Sequence, residues 1–303
     1  TKGEVPELDA MFVDEAQDLS PLQWAVVRKL TEKAEKIYVA GDDDQAIYKW
    51  AGADVDYLIK NSKNAMILDQ SYRVPSSVHQ LASKCINQVR SRIHKTWKPR
   101  KEKGVVRWEP TIELINMEKK DWLVLARTNY LLEEIDDHCR HQGWFFEVKG
   151  RPSISEANLS IPIAECVNLF KFIKVRNPKS LDILDFDVTM THTDLKKFFP
   201  ELPEGYWYDV FDLLSVKEIS YIRAMLRRGE RITKQPRIRL STIHAAKGGE
   251  ATNVVLLTDL TTRVYKNYQS NPDDENRVFY VGLTRTKENL FLIEPKTTRC
   301  IQL

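Results

Sequence analysis

Ala10–Pro21 reads AMFVDEAQDLSP, an apolar run that breaks into Asp14 and Glu15, with Asp18 three residues further on. The run predicts a strand at Ala10–Val13 that ends in carboxylates. Downstream, Pro21 opens a helix reaching about Lys33, a second strand is expected at Lys36–Ala40, and a helical stretch follows Gly52. Apolar strands alternating with helices predict an α/β fold built on a parallel sheet, where ligand groups collect at the strand ends. The segment GDDDQAIYKWAGAD at 41–54 leaves the second strand, so Asp42, Asp43 and Asp44 are expected on the same rim as Asp14 and Glu15.

A second α/β series begins near Met66. Strands are expected at Met66–Asp69, Trp122–Ala126, Arg237–Ser241, Asn253–Thr258 and Asn289–Ile293, and helices at Ser76–Ser91, Leu131–His141 and Glu275–Thr284. Between them, RIHKTWKPRKEK at 92–103 reads as a basic connector, a solvated loop more readily than a nucleic-acid contact. Residues 175–235 read as a small insertion with its own aromatics, closed by a helix that ends in Arg227 and Arg228.

Composition sets loose bounds. The 303 residues allow one large core or two ordinary ones, and 42% hydrophobic with 29% charged residues suits a globular chain. A net charge of +3 neither requires nor excludes a polyanion. The cysteines at 85, 139, 166 and 300 are too widely spaced for a zinc site, and free thiols are expected. No apolar run approaches the roughly 20 residues that span a bilayer, so no membrane contact and a cytoplasmic location are expected.

The residue types suggest chemistry. A strand-end aspartate can hold Mg²⁺, and an adjacent glutamate can polarise water, although Asp-Glu is equally common as a helix cap. Gly41 permits a tight turn, Gln45 can bridge a phosphate or a water, and Tyr48 and Trp50 at spacing two would stack on single-stranded bases if they are not core.

Four further stretches stand in order: LDQSYRVPSSVHQLA at 68–82, LARTN at 125–129, LSTIHAAKGGEATNVVLL at 240–257, and ENRVFYVGLTRTKENLFLI at 275–293. With DEAQD and GDDDQAIYKW they resemble the UvrD/Rep/PcrA group of superfamily 1 helicases over about nine tenths of the chain. The resemblance implies two RecA-like domains, ATP and Mg²⁺ as cofactors, single-stranded DNA as partner, and 3′ to 5′ movement. It also implies roles. Asp14 would hold Mg²⁺, Glu15 would activate water, and Gln45 would sense the γ-phosphate. Tyr72 would stack on adenine, Glu250 would meet the ribose, and Arg73 and Arg285 would be arginine fingers. Tyr48, Trp50, Arg127, Asn129, Thr242 and His244 would lie along the DNA. Guanidinium forks suit a phosphoryl group whose charge spreads during transfer.

The sequence also departs from the family pattern. No glycine is followed by lysine, so the phosphate loop G-x-x-x-x-G-K-[ST] is absent. Residues 1–65 are therefore expected to be the trailing part of the first RecA-like domain, with 66–303 the second and nearly whole. A missing N-terminal helicase half is then expected as a partner, and the chain alone as inactive toward ATP. Ala51 replaces an arginine common in the family, and Gly249 a leucine. Two readings compete with the helicase: a non-hydrolysing nucleic-acid or protein interaction module, and a magnesium-dependent phosphoesterase built on Asp14, Glu15 and Asp42–Asp44.

Overall fold

The strand read at 10–13 forms as β1, Leu8–Val13, and pairs in parallel with β2, Ala34–Val39, placing Val13 opposite Val39. Both strands therefore end at one level. Ala40 N donates to Val13 O at 2.7 Å and Ala16 N to Ala40 O at 3.0 Å, which stitches the two exits together. Helix α1, Pro21–Leu30, starts where the sequence placed it. Ser20 Oγ accepts from Gln23 N, the Gln23 side chain accepts from Ser20 N, and Pro21 loses no hydrogen bond in the first turn. Trp24 of this helix, Leu58 of α2 (Val55–Asn61), Val13 and Ala16 make a small core. The other face of the two strands is open, with Phe12 and Tyr38 stacked at 4.9 Å and exposed.

The computed structural model describes residues 5–62, 65–154, 173–175, 188–190, 215–230 and 235–303. They divide into two compact units, 1–133 with 241–303, and 134–240. In the first unit a second sheet carries β3 (Val105–Glu109), β4 (Trp122–Ala126), β10 (Ala251–Leu257) and β11 (Thr286–Ile293), all parallel, in the order β3-β11-β10-β4. A strand covered on both faces reads as an unbroken apolar run, and all five residues of WLVLA in β4 are buried. Each such Leu or Val contributes about 1.5–3 kcal/mol when removed from water. Val78, Ala82, Cys85 and Ile86 of α3 (Ser76–Ile86), with Val278, Phe279 and Leu283 of α7 (Pro272–Leu283), pack on Leu125, Val254, Leu256 and Leu290. The remaining helix of this unit is α6, Thr262–Ser270.

The second unit contains β5 (Phe146–Val148), which pairs antiparallel with β6 (Arg151–Pro152) and parallel with Ile238–Leu240 of β9 (Ile238–Thr242). It also holds an antiparallel pair, β7 (Ile173–Val175) with β8 (Val188–Met190), most of α4 (Glu133–Gln142), and α5 (Val216–Arg228), the helix foreseen to end in Arg227 and Arg228. Gly143 lies at φ 67°, and a side chain there would meet the backbone of Ala224 at 2.5 Å. Tyr221 donates its hydroxyl to Trp144 O at 2.6 Å, tying α5 to the turn before β5. The aromatics foreseen at 198–200 and 206–208 lie outside the described residues.

The α/β fold with parallel sheets stands as read, with local corrections. Met66–Asp69 is not a strand: Met66 and Leu68 are exposed, and among the described residues the pairing nearby is a bridge from Gln70 to Lys98. The helix foreseen to Ser91 stops at Ile86. Strand β3, unforeseen, lies at the sheet edge against β11 alone, where mixed residues suffice and no apolar run announces it. Gly41 is needed for space rather than for its turn, because a Cβ would meet Gln17 Oε1 at 2.8 Å and Ala16 N at 3.3 Å.

Candidate active site and nucleic-acid interface

The two acidic clusters share a rim, as their sequence positions required, but their surroundings differ. Asp43 and Asp44 are buried. Arg92 grips Asp44 with both forks, Nε to Oδ1 at 2.8 Å and Nη2 to Oδ2 at 2.6 Å. Lys95 lies 2.9 Å from Asp42 and 3.1 Å from Asp44, and is also paired with Asp43. Burial alone would lower the Lys95 pKa, but Asp42, Asp44 and Asp43 outweigh it and raise it. Ile93 N donates to Asp43 Oδ2 at 2.8 Å and Arg277 Nε to Asp43 O at 3.0 Å. These carboxylates are committed to holding the loop in place. The connector read as solvated is what neutralises them, and its Arg92 and Lys95 were missed.

Asp14 and Glu15 remain outside that clasp. Asp14 is exposed and its Oδ1 accepts from Glu15 N at 2.8 Å. Glu15 sits in the left-handed region at φ 50°, a conformation a non-glycine residue holds only when its neighbours enforce it. Here Gln17 does so: it is buried, its Nε2 donates to Glu15 Oε2 at 2.5 Å, and its Oε1 accepts from Asp42 N at 2.9 Å. Lys247 Nζ reaches Glu15 Oε2 at 3.1 Å, pairs with Asp18, and donates to Gln45 O at 3.1 Å. Burial raises the Asp18 pKa, and Lys247 works against the rise.

Gln45 and the arginines converge beside this group. Gln45 Nε2 donates to Asp42 Oδ2 at 2.7 Å, and its Oε1 accepts from Arg285 Nη2 at 3.1 Å. Arg285 is buried, donating also to Val281 O at 2.9 Å and Gly249 O at 3.3 Å, and burial brings its pKa down to about 10. Arg73 donates to Glu250 Oε2 at 2.8 Å, while Lys287 holds Glu250 Oε1 at 2.5 Å. Lys287 first, and Arg73 with it, lower the Glu250 pKa. Tyr72, by contrast, presents its ring to solvent at 87% exposure.

The residues expected along DNA form a second, adjoining group. Tyr48 donates to His244 O at 3.0 Å, and the rings of Tyr48, Trp50 and His244 stand edge to face, 6.1–6.3 Å apart. Tyr48 packs on the core while Trp50 is 75% exposed, so the pair is neither wholly core nor wholly platform. Burial, then the charge of Arg127, lowers the His244 pKa to about 4, leaving a neutral imidazole. Arg127 is bound bidentately by Glu275 at 2.6 and 2.8 Å. Trp50, His244, Arg127, Lys49 and Asp274 line a cavity of about 270 Å³. Thr242 Oγ1 accepts from Ala245 N at 3.3 Å, which holds the turn after β9, and Asn129 is exposed at the start of a short 3₁₀ turn.

A parallel α/β unit with carboxylates at its strand ends, facing buried arginines and an aromatic surface, has the build of a RecA-like helicase fold. Two family models match: the UvrD/REP helicase N-terminal domain over residues 6–66 and the UvrD-like helicase C-terminal domain over 190–297. A probable DNA helicase II homolog from Mycoplasma capricolum is 23% identical across 94% of this chain and 55% of its own length. ATP-dependent DNA helicase PcrA from Bacillus subtilis is 31% identical across 31% of this chain and 14% of its own, and that from Staphylococcus aureus 35% identical across 25% and 11%. Two segments of the chain, 6–66 and 190–297, are thus similar to UvrD-like helicase domains. The chain spans about half the length of the Mycoplasma relative. The match at 6–66 corrects the expectation that the family's N-terminal part is missing, since that domain is represented here. The phosphate loop itself is still not among the 303 residues.

Proposed function

We propose that this chain carries the water-activating, arginine-finger and DNA-track elements of an ATP-driven DNA helicase that moves 3′ to 5′ on single strands. The observation that carries the reading is the chain of contacts from Glu15 through Lys247 and Gln45 to Arg285, which adjoins the Tyr48–Trp50–His244 group. In this reading residues 1–65 belong to the first RecA-like domain and 66–303 to the second. Glu15 orients and deprotonates the attacking water, Gln45 and Arg285 meet the γ-phosphate, and Arg73 joins them once it leaves Glu250. Tyr72 stacks on adenine and Glu250 turns to the ribose. Tyr48, Trp50, Arg127, Asn129, Thr242 and His244 follow the DNA, with exposed Trp50 offering its face to a base.

Among the described residues no group of three or more His, Cys, Asp or Glu is arranged to hold a metal. Mg²⁺ in nucleotide sites takes one or two carboxylates and completes its shell with phosphate and water, which exposed Asp14 suits and the clasped Asp43 and Asp44 do not. Asp14 would hold the ion, which supplies charge neutralisation at the phosphates. No helix among the described residues is long and apolar enough to cross a membrane.

Without G-x-x-x-x-G-K-[ST], the 303 residues lack the amide cradle and the hydroxyl ligand of such sites, so the chain by itself binds DNA without turning over ATP. That absence also favours the second reading, a non-hydrolysing nucleic-acid module. An ATPase assay with and without single-stranded DNA is expected to show no turnover above the Glu15→Gln variant. Hydrolysis lost in Glu15→Gln would overturn the statement of inactivity, and failure of the chain to bind an oligonucleotide would sink the DNA track.

A further inference from the structure

Strand β3 ends its side of the parallel sheet, and its outer edge carries main-chain groups without partners. Its pairing with β11 runs without a shift from Val105 opposite Asn289 to Glu109 opposite Ile293. Glu294 N donates to Glu109 O at 3.0 Å, and in a parallel ladder alternate residues bond to the same neighbour. Val105, Arg107 and Glu109 therefore turn their amides and carbonyls toward β11, and Val106 and Trp108 turn theirs outward. Among the described residues no hydrogen bond is made to those outward groups. The edge is also held in shape. Ser76 N donates to Glu102 O at 3.1 Å and Ser77 N to Lys103 O at 2.9 Å, which fixes the approach to the strand on the start of α3, and the Val106 side chain packs against the core. Exposed edges are commonly blunted by a proline or a bulge, and the five residues of β3 have neither.

We propose that β3 is a docking edge for an acidic, extended segment of a partner protein, which adds to the sheet as a further strand. An added strand draws its affinity from main-chain hydrogen bonds, here to Val106 and Trp108, and its specificity from alternate side chains. On one face Trp108, 46% exposed, offers an apolar surface. On the other stands Arg107, and Lys101 and Lys103 precede the strand. All three cations are exposed and, among the described residues, have no partner for their charge. Glu102, between the two lysines, is paired with Arg100 at 3.3 Å. Uncompensated positive charge beside free amides and carbonyls selects carboxylates opposite Arg107 and apolar residues beside Trp108. A second copy of this chain fits less well, because antiparallel pairing of β3 with itself about its central residue sets Arg107 against Arg107. The inference stands apart from the helicase reading and does not depend on it.

The test uses the full 303-residue chain and two fluorescently labelled peptides, one alternating aspartate with valine and one alternating lysine with valine, with binding read by anisotropy. The aspartate peptide is expected to bind and the lysine peptide not. Methylating the backbone nitrogens of the aspartate peptide blocks strand pairing and keeps the charge, and is expected to weaken binding about tenfold or more. Arg107→Glu, a change at an exposed and unpartnered side chain, is expected to weaken the aspartate peptide about tenfold and to admit the lysine peptide. Val106→Pro removes one outward amide without breaking the ladder to β11, and is expected to weaken the aspartate peptide roughly threefold or more. The proposal is overturned if the aspartate peptide does not bind, or if neither N-methylation nor Arg107→Glu changes its affinity. It is equally overturned if oligothymidylate displaces the peptide and itself loses affinity in Arg107→Glu, which gives the surface to nucleic acid. A dimer seen by sedimentation and dissociated by Val106→Pro would give the edge to a second copy and overturn it too.

Discussion

Two acidic clusters leave neighbouring strand ends of one small sheet, and they are opposite in kind. Asp42, Asp43 and Asp44 are turned inward beneath Arg92, Lys95 and Arg277, and nearly every oxygen has a cationic or amide partner. Among the described residues Asp14, Glu15 and Asp18 have a single ammonium between them, and the first two face solvent. A buried carboxylate survives only with its charge compensated, whereas one that must act on a ligand has to be left incompletely satisfied. The difference separates scaffold from chemistry, and it disfavours a phosphoesterase that would need both clusters.

The largest effect expected from this contrast is at Arg92. Its side chain is 3% exposed and that of Asp44 0%, so Arg92→Met strands a buried charge. A stability loss of about 3–5 kcal/mol is expected by urea denaturation. A loss below about 1 kcal/mol would show that the inner cluster is not under the constraint described, and the contrast would collapse.

What the sequence disclosed follows the same line. The apolar runs of β4 and β10 and the helix start at Pro21 were readable because each element's environment is written in its own residues. Edge strand β3 and the failed strand at 66–69 were not, because pairing partners decide them. The site divides likewise. Asp14, Glu15, Gln45 and Arg285 were legible in motifs and do come together, yet the partners that set their states were not foreseen. Gln17 lies in DEAQD without an assigned task, and Arg92, Lys95 and Lys287 become meaningful only when chain segments far apart in sequence meet.

A middle-sized effect sharpens the contrast through pH. His244, whose backbone carbonyl accepts from Tyr48 beside the outer cluster, has its pKa lowered from 6.5 to about 4, so the folded protein binds the proton less readily than the unfolded chain. Stability is therefore full above about pH 6.5 and is lost as pH falls from there toward about 4. The loss attributable to His244 is at most roughly 2–3 kcal/mol, since the ring is only partly buried. It is read as the difference in unfolding free energy between wild type and His244→Gln at several pH values, which removes the parallel contribution of His79. A difference that stays constant from pH 7 to 4 would place the imidazole outside this buried, Arg127-facing setting.

The smallest effect is the most diagnostic, because it comes from a carboxylate on the same rim as Asp44. Asp14 is exposed, and its one bond, from Glu15 N, can be made equally by an amide oxygen. Asp14→Asn should therefore leave unfolding free energy within about 0.5 kcal/mol of wild type. Asp44→Asn, by contrast, leaves Arg92 and Lys95 with one fewer buried anion and should cost several times more, on the order of 3 kcal/mol. Equal losses at Asp14 and Asp44 in parallel denaturant titrations would mean that both clusters are scaffold. A near-silent Asp14 beside a costly Asp44 leaves Asp14 a residue whose charge the fold does not need, which is the condition a metal-binding carboxylate has to meet.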